Sequence, residues 1–359
     1  MKYLITLVTI IFIGLGIFFY LRPKEPIKDI LFKVPVETSA VEVLNNDKKA
    51  ANLESPISIK YLRSLKIESD SPVIERVVAK YPSYNSYLVY YYSEGSKVYG
   101  LLTIPNLPIP EGGFPAIVFN HGYIPPKSYS TFNNYPAYVD YLARNGFVVF
   151  KIDMRGHGNS EGVATGGYFS STYTKDAIAA LKSLQKLENV NKNKIGIWGH
   201  SMSGNLVLRA MEVEKDFKAG VIWAGAVYSY EDFYDLRITD SSYSSHLATQ
   251  PSPNVNRDDS LEISKFRNRS VKPDFNNEYW KSISLTANLN YLESPIQIHH
   301  SVNDEVVSIN YSRKLSEYLK QNNKNFEYFE YSGGGHNISG VYFNQAMERT
   351  VKFFKDKLN

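Results

Sequence analysis

Gly199-His200-Ser201-Met202-Ser203-Gly204 follows the apolar stretch Ile195-Gly196-Ile197-Trp198 and leads into Asn205-Leu206-Val207-Leu208-Arg209-Ala210-Met211. The stretch before it has the composition of a buried strand and the stretch after it that of a helix. A serine between small residues at such a junction has the form of a nucleophile elbow. The turn is so tight that the serine takes strained backbone angles and bulky neighbours clash. That strain lifts the hydroxyl clear of the backbone, where a histidine can reach it. The helix that starts there points N–H groups toward a developing oxyanion. The usual pattern is G-x-S-x-G; here Ser203 takes the fifth position and glycine comes one place later. A glycine- and serine-rich turn without chemistry has a similar local composition, so the surrounding chain decides between the two.

Outward from the elbow, strands and helices alternate. Residues 87–92 and 97–104 are rich in Tyr, Val and Leu, and Ser93-Glu94-Gly95-Ser96 joins them as a hairpin turn. Residues 116–120 form a short apolar strand that ends in His121-Gly122-Tyr123. Residues 135–144 have helical spacing and stop at Asn145-Gly146, and 147–153 form the next strand. Ile178, Leu181 and Leu184 share one face of a helix over 173–187. After the elbow come strands at 219–226, 295–300 and 326–331. Tyr311, Leu315, Tyr318 and Leu319 mark a helix between the last two, and Phe343, Met347, Val351 and Phe354 a final one. This alternation implies an α/β fold with a mostly parallel sheet and helices on both faces. Residues 228–292 break the rhythm. They read as an insertion over the carboxyl ends of the strands, where ligands bind in such folds, and either a lid or a plain structural excursion fits them.

A serine hydroxyl needs a base to become a nucleophile, and the base needs an orienting acid. In a fold with this elbow the chain order is serine, acid, histidine. Of the seven histidines, 121, 157, 200, 246, 299, 300 and 336, only His336 follows the last strand. It ends the loop Ser332-Gly333-Gly334-Gly335-His336, whose glycines let the backbone bend back over the sheet. The acid belongs just beyond the preceding strand, where His300-Ser301-Val302-Asn303-Asp304-Glu305 offers Asp304, with Glu305 beside it on the solvent side. Two donors for the oxyanion follow: the backbone N–H of Met202, and the N–H of Tyr123 in the loop after the strand that ends at Asn120. His121 precedes the serine and is expected to shape that loop.

The rest of the sequence narrows the class. The 359 residues carry 40 basic and 36 acidic side chains, for a net charge of +4, and no basic stripe suggests nucleic acid. There is no cysteine, hence no disulfide and no thiol nucleophile. Arg155-Gly156-His157-Gly158-Asn159-Ser160-Glu161-Gly162 is glycine-rich but does not fit G-x-G-x-x-G. No H-E-x-x-H or EF-hand pattern occurs, so neither metal nor cofactor is expected. Residues 4–21 are an uncharged apolar run that spans ~27 Å as a helix, close to the thickness of a hydrocarbon core. With Lys2 before it, Arg22-Pro23-Lys24 after it and no small-x-small cleavage site, it reads as an uncleaved anchor. Basic residues beyond it favour a cytoplasmic body by the positive-inside rule. The signal-like start and lack of cysteine favour an extracytoplasmic one, which is the expectation adopted. The resulting division is an anchor over 1–22, a proline-punctuated linker over 23–56 and a catalytic domain over 57–359.

Five motifs then fall in one order: H-G after one strand, D-x-R-G-x-G-x-S after the next, G-H-S-x-S-G, the acid in H-S-x-x-D-x-x-V, and a late G-G-H. Over residues 85–359 the chain resembles the α/β-hydrolase superfamily, most closely the catalytic domain of the prolyl oligopeptidase family with its acylaminoacyl- and dipeptidyl-peptidase members. The resemblance implies the α/β-hydrolase fold, a triad of Ser201, Asp304 and His336, and a peptide or small ester as substrate. It departs from the family at Ser203, and the region ahead of the hydrolase part is too short for the family's propeller domain. Carboxylesterase activity on the same machinery, and a non-catalytic binding module of the same fold, are the alternatives.

Overall fold

A computed structural model describes residues 54–236, 238, 260–269 and 271–358. The expected anchor, nearly all of the expected linker, and residues 237, 239–259 and 270 of the insertion lie outside the described residues. No described helix is long and apolar enough to cross a membrane.

Nine strands among the described residues form one sheet in the order β1-β2-β3-β5-β4-β6-β7-β8-β9. Strands β1 (Val73–Lys80), β2 (Tyr84–Ser93) and β3 (Ser96–Pro105) make an antiparallel edge that joins β5 (Val148–Ile152). From there the sheet is parallel through β4 (Phe114–Asn120), β6 (Val190–His200), β7 (Gly220–Trp223), β8 (Ile296–Ser301) and β9 (Phe326–Tyr331). The β2–β3 turn pairs Ser93 with Ser96, and Glu94 and Gly95 take φ of 49° and 79°, as a two-residue hairpin of this hand requires.

The interior strands are buried on both faces because helices cover both. On one face lie α1 (Ile59–Ser64), α3 (Thr172–Leu184), α4 (Met202–Val213) and α8 (Asn310–Gln321), packed with Val118, Ile197, Ile222 and Ile298. On the other lie α2 (Pro136–Arg144) and α9 (Val341–Lys357), packed with Ile117, Phe119, Trp198 and Trp223. Phe119 and Trp198 stack at 4.1 Å between ring centroids. Neighbouring parallel strands pair Asn120 with Gly199 and His200 with Trp223, so their carboxyl ends finish level. The segments that hold Ser201, Asp304 and His336 leave from the carboxyl ends of β6, β8 and β9.

The described part of 228–292 behaves as core. It contains α5 (Tyr230–Leu236), α6 (Leu261–Asn268) and α7 (Glu278–Ile283). Tyr230, Phe233 and Phe266 pack there against Tyr168 and Phe169, and Trp280 against Tyr230 and Phe266. Trp280, Ile283, Leu285 and Leu289 have almost no exposure. Over the residues described, the segment supplies buried aromatic surface to the core.

Candidate active site

Ser201 ends β6 and begins α4 with φ 56° and ψ −120°. For a non-glycine residue this backbone stores about 1–3 kcal/mol of strain. Ser201 N–H donates to the Trp223 carbonyl at 2.8 Å and Gly204 N–H to the Ser201 carbonyl at 2.8 Å, so the turn is pinned on both sides. The helix sits hard against the sheet: a Cβ on Gly199 would lie 2.6 Å from Ser203 O, and one on Gly204 2.6 Å from Gly225 Cα. The close approaches are therefore taken by Gly199 and Gly204. That explains why position 203 can carry a side chain. Ser203 is fully buried, and its hydroxyl donates to the His121 carbonyl at 2.5 Å, tying the elbow helix to the loop after β4.

This contact sets an expectation for Ser203. Ser203→Gly leaves the His121 carbonyl without its donor, a loss of about 1–3 kcal/mol, while activity stays within a few-fold of the parent. Ser203→Val cannot replace the hydrogen bond and adds branched bulk to a fully packed site, so both folding and activity fall. Thermal unfolding beside steady-state rates checks the pair; a Gly variant as stable as the parent would refute the contact, and a Val variant equal to the Gly variant would refute the packing.

His336 and Asp304 meet across the loops that follow β9 and β8. His336 Nδ1 lies 2.8 Å from Asp304 Oδ2, and the Asp304 side chain is fully buried. The same oxygen lies 3.1 Å from His300 Nε2, while Asp304 Oδ1 accepts the N–H groups of Val306 at 2.8 Å and Val307 at 2.9 Å. Burial pushes the Asp304 carboxyl up, but the hydrogen bonds from His300 and His336 outweigh it and hold it well below the usual carboxylate range. An ionised Asp304 makes His336 Nδ1 the donor and leaves the Nε2 lone pair to take a proton. The loop is held from both sides: Ser301 Oγ donates to Gly333 O at 2.8 Å, Gly335 N–H to Asn303 Oδ1 at 3.0 Å, and Tyr138 Oη to Asn337 O at 2.8 Å. Glu305 is exposed.

Ser201 and His336 lie in one cluster through His200, whose ring centroid is 4.6 Å from that of His336. Ser201 Oγ and His336 Nε2 make no hydrogen bond, and catalytic contacts of this kind tighten when substrate binds. On the far side of the serine stands the loop 121–125. A Cβ built on Gly122 would lie 3.1 Å from Ser201 Cβ, so the backbone that leads to Tyr123 passes directly beside Ser201. Met202 N–H is at the first position of α4, where helix geometry supplies no intrahelical acceptor.

The glycine-rich stretch after β5 is scaffolding. Arg155 Nε bonds Asp176 Oδ1 at 2.6 Å and Nη2 bonds Glu94 Oε2 at 2.9 Å, stitching the β2–β3 hairpin to α3. Asp153 accepts Tyr129 Oη at 2.7 Å and Thr131 Oγ1 at 2.5 Å, which shapes the loop after β4. His121 is fully buried, its ring 4.4 Å from that of Tyr129, in the shaping role its sequence position suggested. No group of three or more His, Cys, Asp or Glu among the described residues is arranged to hold a metal ion. His300 and Tyr135 are parts of the site that the sequence did not single out. The adjacency of His300 to the acid loop was the one available signal for it.

The family model described as serine aminopeptidase, S33, matches residues 115–340, which contain the elbow, Asp304 and His336. An uncharacterized peptidase of Bacillus subtilis (strain 168), YtmA, is 29% identical over 275 residues, 76% of this chain and 93% of that protein. Among solved structures, dipeptidyl peptidase 4 of Porphyromonas gingivalis superposes with a TM-score of 0.57 at 21% identity over 77% of this chain, which spans only 36% of it. Acetyl xylan esterase from Paenibacillus sp. R4 superposes with a TM-score of 0.55 at 20% identity over 82% of this chain and 91% of its own. At these identities the two structures establish likeness of fold alone.

Proposed function

The chain belongs to the serine aminopeptidase S33 family and is a serine hydrolase of the α/β-hydrolase fold, and on that premise we propose that it is a peptidase of the prolyl oligopeptidase type acting on short peptides or aminoacyl amides. Ser201 Oγ attacks the scissile carbonyl carbon while His336 Nε2 takes its proton. The N–H groups of Met202 and Tyr123 hold the oxyanion. The intermediate collapses with the proton passing from His336 to the leaving amine, and water then releases the acyl group by the same route. The observations that support this reading are the strained backbone of Ser201, the His200 ring next to it 4.6 Å from that of His336, and the buried carboxylate 2.8 Å from His336 Nδ1.

Carboxylesterase activity is the second reading. It is favoured by one observation: the chain spans an esterase of the same fold nearly end to end but only about a third of the dipeptidyl peptidase. A panel of p-nitrophenyl esters against aminoacyl and peptidyl p-nitroanilides separates the two. Turnover of the anilides is expected; turnover of short-chain esters alone would transfer the proposal to the esterase. Residues 4–21 are proposed to hold this domain at a membrane, on its extracytoplasmic side. The full chain should then stay in the membrane fraction through carbonate and high-salt washes, and a soluble chain whose N-terminus lies beyond residue 21 would show cleavage instead.

A further inference from the structure

Gly122 N–H, Tyr135 Oη, both ring nitrogens of His200 and the carbonyl of His336 form one unbroken line of hydrogen bonds. Gly122 N lies 2.8 Å from Tyr135 Oη, Tyr135 Oη 2.7 Å from His200 Nδ1, and His200 Nε2 3.0 Å from His336 O. The line starts on the loop beside the nucleophile and ends on the backbone of the residue proposed as base. It passes through the side chain that immediately precedes Ser201. It joins residues 13, 65 and 136 positions apart in the chain.

The direction of every bond is fixed by the two ends. A backbone N–H can only donate and a backbone carbonyl can only accept. His200 Nε2 must therefore carry a hydrogen. Nδ1 of a neutral ring is then an acceptor, so the Tyr135 hydroxyl donates to it and its oxygen receives Gly122 N–H. Each link uses one proton and none is spare. The relay needs His200 neutral, because a proton on Nδ1 would place two donors face to face. Burial, reinforced by the neighbouring His336, holds the His200 pKa down to about 3. Burial likewise pushes the Tyr135 phenol up and keeps it protonated.

We propose that His200 and Tyr135 are positioning residues that lock the oxyanion loop to the base loop across Ser201, fixing the Tyr123 N–H and the His336 imidazole in one frame. This rests on the reading of Ser201 and His336 as nucleophile and base. Gly122 N–H is committed to the Tyr135 hydroxyl and so holds the backbone that leads to Tyr123 in place. Tyr135 is itself set by backbone strain. It stands at the start of α2 with φ 62° and ψ 28°, the left-handed region, and its ring lies 5.6 Å from Phe119 and 5.4 Å from Tyr138. A non-glycine residue held there is over-determined by its surroundings.

Tyr135→Phe removes the hydroxyl at the centre of the line and keeps the ring among its aromatic neighbours. Its kcat should fall about 10- to 100-fold, somewhat less than the loss of a direct oxyanion donor, with KM within about twofold. Affinity for a boronic acid transition-state analogue should fall by the same factor as kcat/KM. His200→Gln offers an amide that can donate to His336 O and accept from Tyr135, and should keep activity within a few-fold. His200→Leu should lose as much as Tyr135→Phe, and the Tyr135→Phe/His200→Leu pair no more than either alone. A folded Tyr135→Phe variant with parental kcat and parental analogue affinity overturns the relay. So does a loss of kcat that leaves analogue affinity untouched. Labelling of the parent by a fluorophosphonate probe is read first. A parent that turns over substrate without modification at Ser201 overturns the catalytic reading and the relay together, whereas a labelled parent beside an unaffected Tyr135→Phe variant overturns the relay alone.

Discussion

Ser201→Ala is expected to lower turnover by about 10⁶-fold, since triad members act as a unit and the rest of the site retains only the catalysis of the oxyanion donors and binding. The fold should survive. Ser201 N–H and O are both committed to backbone hydrogen bonds that alanine preserves, and alanine tolerates φ 56° no worse than serine. Ser201→Gly separates chemistry from strain. It should be as inactive as the alanine variant yet more stable, by up to about 1–3 kcal/mol, because glycine takes these angles freely. Rates on the best ester or anilide, with thermal unfolding of both variants, check this. Parental rates in Ser201→Ala would remove Ser201 from the mechanism, and a glycine variant less stable than alanine would show that the turn is not strained.

Asp304→Asn should cost about 10⁴ in turnover, the effect of leaving a triad histidine in the wrong tautomer. The geometry around Asp304 makes the reason specific. Both carboxylate oxygens face donors: Oδ2 faces His336 Nδ1 and His300 Nε2, and Oδ1 faces the N–H groups of Val306 and Val307. An asparagine must turn its NH2 toward one of these pairs. If it faces the histidines, His336 has to present an unprotonated Nδ1, which protonates Nε2 and blocks it as a base. If it faces the backbone, the turn at 306–307 opens. Either arrangement also leaves a buried donor without a partner, so stability should drop by about 1–3 kcal/mol. Glu305→Gln should change little, because Glu305 is exposed. The reverse ranking in purified variants would move the acid to Glu305.

How much of this was legible depends on where each contact sits in the chain. The strained turn at Ser201 was readable because its residues are consecutive, and the meeting of Asp304 with His336 because chain order in this fold leaves few positions for such a pair. The parallel core was readable because strands such as β5, with Val148, Val149 and Phe150 all buried, are continuous apolar runs between helical periods. Strand β1 was not, since Val73, Ile74 and Val77 lie roughly half exposed on the sheet edge and no alternation marks them. Helix α1 has six residues, too few for a period to show. The insertion fitted either a lid or a plain excursion because it is polar and long; its described aromatic residues pack beside Tyr168 and Phe169. His200 and Tyr135 meet partners on other elements, and no spacing along the chain records such contacts. Ser203 shows the converse. It reads as a defect in the motif until the neighbouring Gly199 and Gly204 are seen to absorb the close packing.

The central claim is that Ser201 is the activated nucleophile of this chain. A fluorophosphonate probe reacts only with such a serine, and peptide mass spectrometry locates the adduct. The account predicts modification of Ser201 in the parent chain, none in Ser201→Ala, and strongly slowed modification in Asp304→Asn. An adduct on Ser203 with Ser201 unmodified, or an active chain that takes up no probe, would contradict it.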